Sequence, residues 1–137
     1  MAYREKTAWL GLIGMLITFG PYFAWVKLTS PSLETPNLGL MAVYAGVAGA
    51  YAVISIVGYL MLRREAHPAD ERDLLIDRRA SRVAYYILMA LMLYIGCYKP
   101  FVAEGGWEIV NDTIAAVVVT EITRCAMTLM GYRRAAA

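Results

Sequence analysis

Glu121 is the residue of this 137-residue chain whose chemistry is most constrained by its neighbours. It lies in a run, Thr113 to Tyr132, that is otherwise apolar enough to cross a membrane. At about 1.5 Å of helix rise per residue it falls near the middle of that run. An ionised carboxylate facing lipid there is costly, so it must be paired, hydrogen-bonded or protonated. Arg124, three residues on, offers an intrahelical partner. Counting depth along the other apolar runs brings Thr18, Tyr51 and Tyr94 to a similar level. Tyrosines favour the membrane interface, so two near the midplane imply hydroxyls with partners. Thr18, Tyr51, Tyr94, Glu121 and Arg124 therefore form a candidate intramembrane polar site. Its structural reading is glue between helices. Its functional reading is a protonatable site for a solute or ion, because intramembrane acids mark such pathways. Pro21 after Gly20 is expected to bend or break the first run just above this level and so to open a cavity.

A second charged feature runs from Asp70 to Arg82. Asp70 follows Pro68 and Ala69 and suits a helix N-cap, with Asp73 placed to close a capping box. Acids crowd the first turn and arginines the later ones, which matches the helix dipole. The spacing predicts a helical extension that runs into the third apolar run, laced by surface ion pairs. Its other reading is a docking surface for a protein partner at Asp70, Glu71, Arg72 and Asp73. Asp70, Asp73 and Asp77 could share a divalent cation only if the nearby arginines turned away, so no metal is expected.

Several chemistries lack their residues. His67 is the single histidine, which excludes a haem held by paired histidines. Ligands for catalytic zinc, a Ser-His-Asp set, a phosphate-binding loop and a dinucleotide fingerprint are all missing from the sequence. Cys97 and Cys125 stand on different runs at depths about 10 Å apart by helix rise, so free thiols packed in the bundle are expected rather than a disulfide. The eight Met are scattered, as gap-fillers are. A net charge of +2 is too small for a nucleic-acid binder. The expectation is a protein that is not an enzyme and that carries no cofactor.

The elements that position these residues follow from composition. The chain is 60% hydrophobic and 18% charged, against about 45–50% and about 25% for soluble domains. The apolar residues fall in four blocks, predicting spans at about 7–28, 38–62, 80–100 and 109–132. A bilayer core of about 30 Å takes roughly 20 residues of helix, and an open sheet would leave unpaired backbone groups in lipid. The alternation of an outer-membrane barrel is absent. The first run is too long for a secretory signal and shows no cleavage site before Lys27. Ten of the 13 basic residues fall before the first span, between the second and third, or after the fourth. The positive-inside rule then places both termini and the middle loop in the cytoplasm. The fold class read from the sequence is an all-α integral membrane bundle of four transmembrane helices, one domain, N-in/C-in, with a cytoplasmic helical extension before the third span.

Finer patterns add detail. Ala42, Gly46 and Ala50 repeat every four residues, with Ala45 and Gly49 beside them. Small residues so spaced let helices approach closely. Packing inside the bundle is the favoured reading, and a homodimer seam the other. Tyr22, Trp25, Tyr98 and Trp107 lie where an aromatic belt is expected. Ala8-Trp9 and Gly20-Pro21-Tyr22 resemble Ala84-Tyr85 and Gly96-Cys97-Tyr98, which hints at a parallel repeat of two hairpins.

The stretch Asp70-Glu71-Arg72-Asp73, then Ile76, Arg79-Ala80-Ser81-Arg82 and an aromatic-rich span, resembles small bacterial four-helix inner-membrane proteins of unknown function. Tyr3-Arg4-Glu5-Lys6-Thr7-Ala8-Trp9 and Gly20-Pro21-Tyr22-Phe23 are similar to members of the same group. The resemblance implies a bacterial inner-membrane protein and carries over no catalytic residue. The leading functional reading is a non-enzymatic accessory or regulatory protein, acting by helix contacts and its cytoplasmic segment. The alternative is a small dimeric proton-coupled transporter of hydrophobic or cationic solutes that uses Glu121, with Tyr51 and Tyr94 lining the site.

Overall fold

The computed structural model describes residues 3–29, 38–63, 70–102 and 106–136. Most of the first outer loop and His67 lie outside these residues. All regular structure among them is helical: α1 Tyr3–Thr29, α2 Leu38–Leu62, α3 Glu71–Cys97, a single turn α4 Lys99–Val102, and α5 Gly106–Ala136. Four helices are long and apolar enough to cross a membrane, with α4 continuing the third. Between them Tyr98 donates its backbone N–H to Tyr94 O at 2.9 Å, and its own carbonyl accepts from Phe101 N at 3.1 Å. The chain thus turns once with those groups paired. At 31 residues α5 is about 46 Å long, well beyond a hydrocarbon core of about 30 Å. Its ends project past the apolar layer.

The long helices lie in the order α2, α1, α5, α3. Helix α1 packs against α2 and α5, α5 also packs against α3, and α2 and α3 share no packed interface. The pattern of small and bulky side chains accounts for this order. Helix α1 buries Ala8, Gly14, Met15, Phe19, Tyr22 and Val26 along its length, enough for two neighbours. Helix α2 buries Leu40 alone. Half-buried Tyr44, Val47, Tyr51, Ser55, Gly58 and Leu62 follow it at spacings of three or four and face α1. One such stripe serves one partner. Met15, Phe19 and Val118 form one core cluster, and Tyr22, Val26 and Leu40 another, with Trp107 packed on the second. The Phe19 and Tyr51 rings meet edge-on at 6.0 Å.

Closest approach occurs at glycines other than those of the small-residue stripe. A Cβ on Gly58 would run into the side chain of Leu10, and one on Gly131 would lie 2.7 Å from Ile76 Cγ2. A Cβ on Gly11 would lie 3.1 Å from Cys125 Sγ. A Cβ on Gly46 or Gly49 would meet no neighbouring helix within 4 Å, and Ala42 and Ala50 are exposed. The stripe is turned away from the bundle, so the expected internal packing is not what it does.

Other expectations are corrected at single residues. Tyr22 is 4% exposed and its hydroxyl donates to Asn111 Oδ1 at 3.1 Å, so it belongs to the interior rather than to an aromatic belt. Trp25 and Tyr98 are exposed, as belt residues would be. Cys125 is buried, but Cys97 is exposed instead of packed. Helix α1 runs unbroken through Pro21. A repeat of two equivalent hairpins would match the α1–α5 interface with one between α3 and α2, which is missing.

Candidate functional site

The end of the bundle where α1 starts, α2 ends, α3 starts and α5 ends carries most of the arginines. At this end the separation of α2 from α3 leaves a cavity of about 480 Å³, backed by α1 and α5. That is large enough for a small ligand. Helix α2 lines it with Tyr51, Ser55 and Tyr59, and α3 with Asp73 and Asp77. Arg4 comes from α1, and Arg124, Cys125 and Tyr132 from α5.

Its charges are largely matched. The Tyr132 hydroxyl donates to Asp73 Oδ1 at 2.6 Å. Arg4 Nη1 lies 3.9 Å from Asp77 Oδ2. Arg124 Nε donates to Glu121 Oε2 at 3.0 Å. The hydroxyls of Thr7 and Thr128 bond back to Arg4 O and Arg124 O on their own helices, at 2.9 Å each. What remains available is a set of tyrosine and serine hydroxyls beside two cations and two carboxylates. Such a lining suits a polar or amphiphilic molecule better than a hydrocarbon.

Of the five residues predicted to meet at the midplane, Tyr51 and Arg124 come together around this cavity. Glu121 joins through its pair with Arg124, its side chain 37% exposed. Thr18 is satisfied on its own helix, donating to Gly14 O at 2.7 Å. Tyr94 is 49% exposed and stacks on Tyr98 with centroids 5.2 Å apart. By the register that Ile76 and Gly131 set between α3 and α5 it lies about two turns from the level of Glu121, near the end of α3 at Cys97.

The predicted extension exists, since α3 begins at Glu71 and runs on without a break. Asp70 caps it, Oδ1 accepting from Glu71 N at 2.8 Å. Asp73 turns to Tyr132 rather than closing a capping box, and Asp77 turns to Arg4. These carboxylates therefore tie the extension to α5 and α1. Asp70, Glu71 and Arg72 are exposed and Asp73 is not, so the four residues do not present one surface.

A polar cluster at the opposite end escaped sequence reasoning. Lys99 Nζ lies 2.6 Å from Glu108 Oε1 and 2.7 Å from Asp112 Oδ2. The Lys99 side chain is only 16% exposed. Asp112 Oδ2 is enclosed, and the Lys99 ammonium at 2.7 Å is what balances it. The signal was present: Glu108 and Asp112 are four residues apart and so share a helix face. Among the described residues no three His, Cys, Asp or Glu lie close enough to hold a metal ion.

Residues 5–135 match the family model described as "Predicted membrane protein (DUF2178)". No curated protein and no solved structure matches the chain.

Proposed function

The chain belongs to the DUF2178 family of predicted membrane proteins, and we propose that it is a non-enzymatic accessory or regulatory protein working through contacts with partner helices. The observation that carries this reading is the surface of α2. Twenty-five residues long, it buries only Leu40 and packs mainly on α1 among the described residues. Its outer face shows Ala42, Gly46 and Ala50 with open space around Gly46. Glycine in a helix interior costs roughly 0.5–1 kcal/mol relative to alanine, and no contact within this bundle needs it at Gly46. A second copy, meeting through that stripe, would use it. Exposed Asp70, Glu71 and Arg72 offer a further contact for a soluble protein partner. In this reading the protein lies in a bacterial inner membrane with this end in the cytoplasm, an orientation that the basic bias supports.

The test is cysteine cross-linking in native membranes. Cysteine at Gly46 should give cross-linked dimers, whereas cysteine at Met41, also exposed but about 140° around the helix, should not. Equal cross-linking at both positions, or none at either, would sink the dimer seam. The soluble contact is tested by affinity purification after replacing Asp70, Glu71 and Arg72 with Ala. Asp73 is spared because it anchors α3 to Tyr132. Unchanged co-purifying proteins would remove the docking role.

The cavity of about 480 Å³ beside Tyr51 and Arg124 supports a second reading, a dimeric proton-coupled transporter of hydrophobic or cationic solutes, with its polar lining and the carboxylates of Asp73 and Asp77 favouring the cationic ones. In that reading Glu121 exchanges a proton for solute, and Glu121→Gln abolishes proton-linked uptake in proteoliposomes without unfolding the protein. Where the pair of Glu121 with Arg124 at 3.0 Å serves the fold alone, Glu121→Gln lowers thermal stability and leaves no uptake phenotype.

A further inference from the structure

Between α3 and α5, on the side away from α1, runs a second groove of about 320 Å³ at the arginine-rich end. Its apolar floor is Leu75, Ile76, Met127, Met130 and Gly131, and Arg79 and Arg134 stand at its edges. Gly131 sets its depth, since a Cβ there would lie 2.7 Å from Ile76 Cγ2. From that contact α3 and α5 carry the floor about one turn further into the bundle, to Ala80 and Met127. The two arginines lie at the predicted limits of spans three and four, near residues 80 and 132.

Both guanidinium groups are exposed, and Arg79 and Arg134 take part in none of the ion pairs formed among the described residues. Leu75 is 66% and Met130 46% exposed beside them. Uncompensated cations at the predicted limits of two spans, flanking an apolar floor that continues towards the spans at Ala80 and Met127, have a complement in an anionic, amphiphilic molecule. Basic pockets between transmembrane helices on the cytoplasmic side bind anionic lipid headgroups. We propose that this groove binds one anionic phospholipid, its phosphate held by Arg79 and Arg134 across the apolar floor between them and an acyl chain entering the bilayer past Ala80 and Met127.

The experiment reconstitutes the full chain into phosphatidylcholine bilayers and measures the motionally restricted fraction of spin-labelled phosphatidylglycerol against spin-labelled phosphatidylcholine. Wild type should prefer phosphatidylglycerol. R79Q/R134Q should reduce that preference about fivefold or more, the factor that one arginine near an anionic surface contributes. R72Q/R133Q removes the same charge from exposed positions at the same end and should keep most of the preference. An unfolding midpoint in detergent equal to wild type shows that each variant is folded. A wild type without preference, an R79Q/R134Q protein that retains it, or equal loss in both double variants would overturn the proposal. So would a wild type without preference whose co-purifying proteins change with R79Q/R134Q, which would give the groove to an acidic protein segment.

Discussion

Lys99 holds two carboxylates of one helix face at 2.6 and 2.7 Å while itself mostly covered. Taking away the ammonium leaves Glu108 and Asp112 facing each other at the mouth of the bundle, and removing one partner of a covered ion cluster costs more than the cluster contributes. Lys99→Met should therefore lower the unfolding midpoint in detergent by several degrees, and Lys99→Met combined with Asp112→Asn should recover part of the loss. The Tyr132 hydroxyl fills a comparable place at the other end. Tyr132→Phe removes its bond to Asp73 and should cost about 1 kcal/mol, read from denaturant unfolding. Glu121 and Arg124 were legible as a pair because three residues on a helix bring side chains together. Thr18 and Tyr94 were misread for a geometric reason. Counting residues along a span gives depth, but each step also rotates the side chain by 100°. Tyr94 is also off in depth, since the α3–α5 register set by Ile76 beside Gly131 leaves it about two turns from Glu121 and against Tyr98, and Thr18 has a carbonyl of its own helix in reach. Lys99, Glu108 and Asp112 lie across the α4–α5 connection, where spacing along the chain says little about distance.

At the scale of helices, the spans were legible because an apolar run long enough for the bilayer has few other uses. Which face meets which neighbour was not. Ala42, Gly46 and Ala50 make the cleaner repeat, yet Gly58 and Gly131 are where backbones and side chains meet closely. A single glycine opposite Leu10 or Ile76 makes no repeat, so nothing in the sequence marks it. Gly58→Ala should cost about 1–3 kcal/mol by overpacking against Leu10, and Gly131→Ala should do likewise against Ile76. Gly46→Ala, with open space around it, should leave the unfolding free energy of the single chain unchanged or raise it by up to about 1 kcal/mol. Thermal unfolding by circular dichroism in detergent, followed for all three variants, checks the contrast. Equal effects at Gly46 and Gly58 would mean that α2 sits differently on α1.

For the whole molecule, the arginine asymmetry predicts how the bundle sits in the membrane. Cysteine at Ser32 should react with an impermeant reagent from outside the cell, and cysteine at Ala136 only after the membrane is opened. Labelling of Ser32 from the cytoplasm alone would invert the protein. The neighbour relations are a matter of three dimensions, and no charge count reveals them. Helix α5 lies between α1 and α3 and is, among the described residues, the long helix with which α3 makes an extensive interface.

That position gives the order of synthesis a consequence. The ribosome releases α5 last, so the helix that joins the two hairpins reaches the membrane after the other three. Until then α1 and α2 can pair, but α3 has no long helix to settle against, and Asp73 waits for Tyr132. A chain that stops before residue 106 contains three spans and no way to join them, and it should be degraded rapidly. Two separately expressed pieces, residues 1–66 and 67–137, should by contrast find each other, because each is a self-paired hairpin and the α1–α5 contact is formed between the pieces.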